Sequence, residues 1–183
     1  MGCNLGKVMD AVEEIVPSEF AEEWDNSGMQ LGGLDWTVER IWVALDPLPE
    51  VISAACRKDI DLVITHHPLI FKPLTILNVS TLEGSVIQQA LDHQVAIYTV
   101  HTNLDRIEDG VNDVLASRIG LRNTTPLSMD EISGRPGFGR MGNLPQPKPL
   151  GLLAKNIKQA LNLGHVRVVG NLDMIVKTAA VCS

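Results

Sequence analysis

DLVITHHPLIF (61–71) decides how this chain folds. Asp61 opens the stretch, Leu62, Val63 and Ile64 follow, and two adjacent imidazoles, His66 and His67, stand before Pro68. An apolar run without polar alternation reads as a strand covered on both faces, as in a parallel sheet packed by helices. Working outward, the same pattern returns on either side. RIWVALD (40–46) and VAIYTVH (95–101) read as strands, and PEVISAACRK (49–58) and LEGSVIQQALDHQ (82–94) read as the helices between them. Strands separated by helices of this length make βαβ units. The expected fold class is α/β, a mostly parallel sheet from βαβ units with helices on both faces.

Towards the N-terminus, Leu5, Val8, Met9, Val12 and Ile15 recur at helical spacing until Pro17. A loop with Trp24-Asp25-Asn26 and several glycines follows; in Trp24-Asp25-Asn26-Ser27-Gly28 the Asp and Asn satisfy backbone donors and Trp24 packs on the core, with direct substrate contact as the alternative reading. GVNDVLASRI (110–119) reads as a helix. The stretch 133–149, rich in Gly and Pro, reads as a connector. Leu150, Leu153, Ala154, Ile157 and Leu161 form an apolar helical stripe with Pro149 near its start. VRVVGN (166–171) and KTAAVC (177–182) read as two more strands. The expectation is one α/β domain over 1–183, with a candidate lobe boundary near 121–149. A closing apolar strand has two readings, a longer natural protein or an internal last strand.

Of the 183 residues, 45% are hydrophobic and 20% charged, enough for one well-buried core. Aromatic residues make up only 4% and the formal net charge is −7, which argues against direct nucleic-acid binding. Cys3, Cys56 and Cys182 form no CxxC pair and read as reduced thiols of a cytoplasmic protein. No apolar run has the length of a bilayer span, so no membrane partner is expected. Gly137, Gly139 and Gly142 match G-x-G-x-x-G, but NLPQPKP follows and cannot open a helix there, which argues against dinucleotide binding.

Three of the expected strands end in polar groups: Asp46, then His66-His67, then His101 with Asp105 shortly after. In an open parallel sheet the strand C-termini share one edge, and ligands bind there. Imidazole and carboxylate together suit zinc, iron or manganese. Successive side chains on a regular strand diverge, so His66 and His67 would serve two neighbouring ions better than one. Pro68 holds the residue before it extended. A carboxylate such as Asp105 can bridge ions about 3.5–4 Å apart, which polarise a substrate oxygen and generate hydroxide near neutral pH. His66, His67 and Asp105 are therefore candidate metal ligands. His101 is a further ligand, an orienting group for Asp105, or a proton donor. The competing reading is a set of hydrogen-bonded structural histidines. Asp46 reads as a turn or helix-cap residue before Pro47, and His93 and His165 read as solvated. Two ions need more than three side chains to be held firmly, so this set takes one ion weakly or has partners beyond Ser183.

AEEWDNSGMQLG (21–32), VALD (43–46), ITHHPLIFKPL (64–74), VHTNLDRIEDGVND (100–113), GFGRMGNLPQP (137–147) and VRVVGN (166–171) come in an order that resembles one family. It is that of the Ngg-interacting-factor-three-like proteins, also called type 2 GTP cyclohydrolase I homologues. The resemblance implies an α/β fold with a dinuclear metal centre and toroidal homohexamers. It implies His66, His67 and Asp105 as ligands, Asp105 as the bridge, and His101 close to the metals. It also implies a further His and Glu near the family's C-terminus, hence that this chain is a C-terminally truncated form of a longer metal-binding protein. The leading expectation is a hydrolase using two divalent ions on a small-molecule substrate, a nucleotide or related phosphate compound. A non-catalytic metal carrier and a protein-binding adaptor with a structural metal are the alternatives.

Overall fold

The computed structural model describes residues 2–129 and 134–183; Ser133, first in the expected connector, lies outside them. The chain divides into two compact units, Met1–Leu104 and Asp105–Ser183.

The first unit opens with a short strand β1 (Cys3–Asn4) and a helix α1 (Leu5–Ile15). Asn4 caps α1 by accepting the Gly6 N–H at 2.9 Å. Then come β2 (Gly28–Leu31), β3 (Thr37–Val38), β4 (Ile41–Ala44), α2 (Pro49–Arg57), β5 (Leu62–Thr65), α3 (Leu82–Asp92) and β6 (Ala96–Thr99). β1 and β3 pair in a small antiparallel ribbon. The main sheet has the order β2-β6-β5-β4. β4, β5 and β6 are parallel, as the βαβ pattern requires. β2 is antiparallel to β6, so the sheet is mixed. This strand falls where a loop was expected, because four residues beginning with glycine are too short to display a period.

Register explains the core. Trp42, Val63, Ile97 and Leu31 stand in one row across the four strands. They pack with Ile52, Ala55 and Cys56 of α2 and Val86, Ile87 and Ala90 of α3. Two residues further along, on the same face, Ala44, Thr65 and Thr99 form the next row. The Thr65 and Thr99 hydroxyls meet at 2.9 Å, and Thr65 Oγ1 donates to the His67 carbonyl at 2.8 Å. Buried hydroxyls thus support the chain where the histidines leave the sheet.

A helix α4 (Thr102–Arg106) carries the chain into the second unit, followed by α5 (Val111–Arg118), β7 (Arg122–Pro126), β8 (Arg140–Pro149), α6 (Leu150–Ala160) and β9 (Ile175–Val181). Its sheet, β7-β8-β9, is antiparallel throughout. Residues 140–149 are therefore strand rather than connector. Pro145 and Pro147 fall between Asn143 and Lys148, where the register with β9 shifts, so their missing N–H groups interrupt no regular ladder. KTAAVC falls largely within β9, whereas 166–171 forms no strand and is exposed. The glycine pattern runs into β8, not into a helix. Ala116, Leu121, Leu144 and Leu153 make the core, with Val176, Ala179 and Val181 packed on it. Arg140, buried, is gripped by Asp113 through Nε at 2.7 Å and a second nitrogen at 2.9 Å, and its remaining donors reach the carbonyls of Gly139, Arg106 and Ile107. Among the described residues no helix is long and apolar enough to cross a membrane.

Candidate metal centre

β5 ends at Thr65, so His66 and His67 lie just past the regular strand, in a bend. Their backbone N–H groups still reach Ala44 O and Leu45 O at 3.3 and 2.9 Å. The expected divergence of neighbouring side chains needs regular pleating, and the bend removes it. The two ring centroids are 5.0 Å apart. His101, past the end of β6, brings a third ring to 5.2 Å from His66 and 5.8 Å from His67. One ligand atom from each of the three lies within 4.8 Å of the others.

The Nδ1 atoms show which nitrogen each ring could offer to a metal. His67 Nδ1 donates to Asp46 Oδ1 at 2.6 Å, His101 Nδ1 to Asp25 Oδ1 at 2.7 Å, and His66 Nδ1 to Val100 O at 3.0 Å. Carbonyl and carboxylate oxygens only accept, so the proton of each neutral ring sits on Nδ1 and the lone pair on Nε2. An oxygen behind each imidazole is the arrangement that fixes and strengthens histidine metal ligands. The donor set fits a divalent first-row ion.

Asp25 has a fully enclosed side chain. Burial alone would raise its pKa, but hydrogen bonds from His101, Thr102 and Ser27 outweigh that and lower it from 3.8 to about 2. The Thr102 N–H donates to Asp25 Oδ2 at 3.1 Å, and the Ser27 hydroxyl donates to the same oxygen at 2.8 Å. The carboxylate therefore stays ionised behind His101. Asn103 accepts the His101 N–H at 2.8 Å and donates to Val16 O at 3.2 Å, so the first residues of α4 are fixed to the loop at 16–27.

Two local expectations change here. Asp46 does not cap α2, whose N-cap is Leu48 without a side-chain bond; it holds His67 instead. Trp24 does not pack on the core but is 59% exposed. Asp105 lies on α4 at the start of the second unit, four residues after His101. It is buried, and its backbone carbonyl accepts Asn112 Nδ2 at 2.9 Å. The carboxylates at 25 and 46 escaped sequence reasoning as histidine partners. For Asp46 a signal existed, its place at the end of a strand neighbouring β5; for Asp25, remote in sequence from His101, none did.

The family model described as Duf34/NIF3 (NGG1p interacting factor 3) matches residues 3–183. The chain belongs to the Duf34/NIF3 family. This Duf34/NIF3 chain is 35% identical over 180 residues to a Streptococcus pneumoniae protein named GTP cyclohydrolase 1 type 2 homolog, covering 96% of the chain and 67% of that relative. A Streptomyces coelicolor protein of the same name is 34% identical over 182 residues, covering 97% and 64%. The chain is thus shorter than these relatives. A solved Bacillus cereus protein related to NIF3 superposes with a TM-score of 0.89 at 24% identity, covering 98% of the chain and 76% of that structure, and shares the fold. A hypothetical protein of Staphylococcus aureus superposes at 0.89 with 28% identity, covering 98% and 71%.

Proposed function

We propose that this chain carries the histidine side of a dinuclear metal centre in a hydrolase acting on a nucleotide or a related phosphate compound. The observation that carries this reading is the convergence of His66, His67 and His101, each with Nδ1 tied to an oxygen. Surface histidines gathered by chance have no reason to share that tautomer. His66 and His67 act as ligands. On the family resemblance, Asp105 would be a further ligand. When bound, two divalent ions, zinc, iron or manganese, supply Lewis acidity. His101 takes and returns a proton through Nε2, and the ionised Asp25 behind it stabilises the imidazolium in between. The name shared by the relatives supports a purine nucleotide as substrate. A homohexamer completes the proposal, supported by apolar side chains exposed on the edge strand β4.

The test is elemental analysis of the chain and of a longer relative, beside His66→Ala, His67→Ala and Asp105→Ala variants and an assay of GTP turnover. Metal content should fall in the histidine variants, and turnover should vanish with Asp105→Ala. Turnover that persists in metal-stripped protein, or metal content indifferent to both histidines, refutes the reading.

A further inference from the structure

Aromatic residues make up 4% of the chain, yet two of them stand half in solvent beside the imidazoles. Trp24 is 59% and Phe71 is 49% exposed. Their rings meet edge to face, centroids 6.1 Å apart and planes at 68°. Phe71 in turn meets His101 at 6.4 Å and 90°. The chain's other tryptophans, Trp36 and Trp42, are partly buried. Apolar burial would favour covering Trp24 and Phe71 as well.

Polar groups tie down the backbone that carries both rings. Gln30, buried on β2, accepts the Ile70 N–H at 3.1 Å and donates to Asn26 O at 2.7 Å. Asn26 Nδ2 donates to Ile70 O at 2.5 Å. Ile70 directly precedes Phe71, and Asp25, bound to His101 and Thr102, directly follows Trp24. The two loops are therefore tied to each other and to the candidate centre. A fixed, exposed aromatic pair is a preformed stacking surface, and fixing it in advance lowers the ordering cost of binding.

Resting on the metal-dependent reading above, we propose that Trp24 and Phe71 receive a planar heteroaromatic ring, the base of the nucleotide. The centre then selects its substrate by the base rather than by the phosphate tail. Because the ring series ends at His101, a base held on it is the part of the nucleotide nearest the imidazoles. This accounts for the Trp24-Asp25-Asn26 loop, whose aromatic member the protein core leaves outside.

Guanosine, which has no phosphate, and inorganic triphosphate serve as separate calorimetric probes of the full chain, with and without added zinc. Zinc uptake is measured on the same samples. Guanosine should bind, about ten-fold or more weakly in Trp24→Ala, with affinity retained in Trp24→Phe and zinc uptake unchanged in both. Phe71→Ala, read by the same titration, gives a second measure should Trp24→Ala disturb its loop. Binding of triphosphate but not guanosine overturns the proposal, as does guanosine binding indifferent to both aromatic substitutions. A chain that takes up no zinc yet binds guanosine through Trp24 sinks the metal reading and leaves the stacking surface standing. One that takes up zinc and ignores guanosine does the reverse.

Discussion

An imidazole holds a cation firmly when its other nitrogen has a fixed place to leave its proton. For His66 that place is a main-chain carbonyl, which no side-chain substitution removes. For His67 and His101 it is a carboxylate, and these two can be tested. Asp25→Asn should lower turnover by the metal-loaded protein about 10–100-fold with zinc uptake unchanged, because the amide no longer enforces the His101 tautomer that takes a proton on Nε2. Asp46→Asn should instead weaken zinc binding in a chelator competition, and by less than that, since the Asp46–His67 pair is half-exposed and water can replace it. Turnover indifferent to Asp25→Asn and zinc affinity indifferent to Asp46→Asn would remove the orienting role. Cysteine chemistry gives an independent check on the first core. Burial pushes the Cys56 thiol above its usual pKa, so thiolate is scarcer there as well as enclosed. Iodoacetamide at pH 8 should label the exposed Cys3 and Cys182 in the folded protein and Cys56 only after denaturation, read by mass spectrometry. At this scale the sequence revealed the histidines because each ends an apolar run. It did not reveal Asp25 as a partner of His101, since that pairing exists only once the loop at 24–28 folds against the N-terminus of α4.

Among the elements, burial made the clearest patterns. β5 and β6 are buried along nearly their whole length, so their apolar runs were unmistakable, and α2 and α3 showed helical spacing because one face of each meets the sheet. β2, β7 and β8 were not legible. β2 is a four-residue edge strand, β7 is largely exposed and reads RNTTP, and β8 carries prolines that a strand tolerates only where pairing lapses. Contact across the structure, not local preference, makes these strands. Gly84 tests the same principle in a helix. It lies in the first turn of α3, where Thr81 Oγ1 caps its N–H at 3.1 Å. Helix propensity alone says that Gly84→Ala should stabilise by about 1 kcal/mol. The added Cβ, however, would stand 1.9 Å from the Asn78 carbonyl oxygen, a backbone atom that cannot swing aside. Overpacking should win, destabilising the protein by about 1–3 kcal/mol in urea unfolding. A stabilised variant would show that the 78–81 turn yields easily.

For the whole molecule, the outstanding feature is apolar surface left open on β4. This strand lies at one edge of the four-stranded sheet, and its residues alternate strictly. Trp42 and Ala44 turn to the α2–α3 core, while Ile41 and Val43 turn away from it, Val43 being 82% exposed, with Leu45 exposed just beyond. An edge strand carrying apolar side chains in water invites pairing with another chain, and folded proteins usually blunt such edges with charge or proline. β4 has neither, although Arg40 directly precedes it and Pro47 follows soon after. Contiguous exposed apolar surface is the mark of an interaction site. Self-association through this face fits the proposed homohexamer and yields a sharp test. In sedimentation the chain should run above its monomer mass of 19.9 kDa, and Val43→Lys should shift it towards that mass. Because Val43 touches little of its own chain, the substitution should leave the thermal midpoint of the separated chains nearly unchanged. A wild-type chain that is monomeric at high concentration would remove the argument for assembly through β4. An oligomer indifferent to Val43→Lys would move the interface elsewhere, with the imidazole cluster and its carboxylates unaffected by either result.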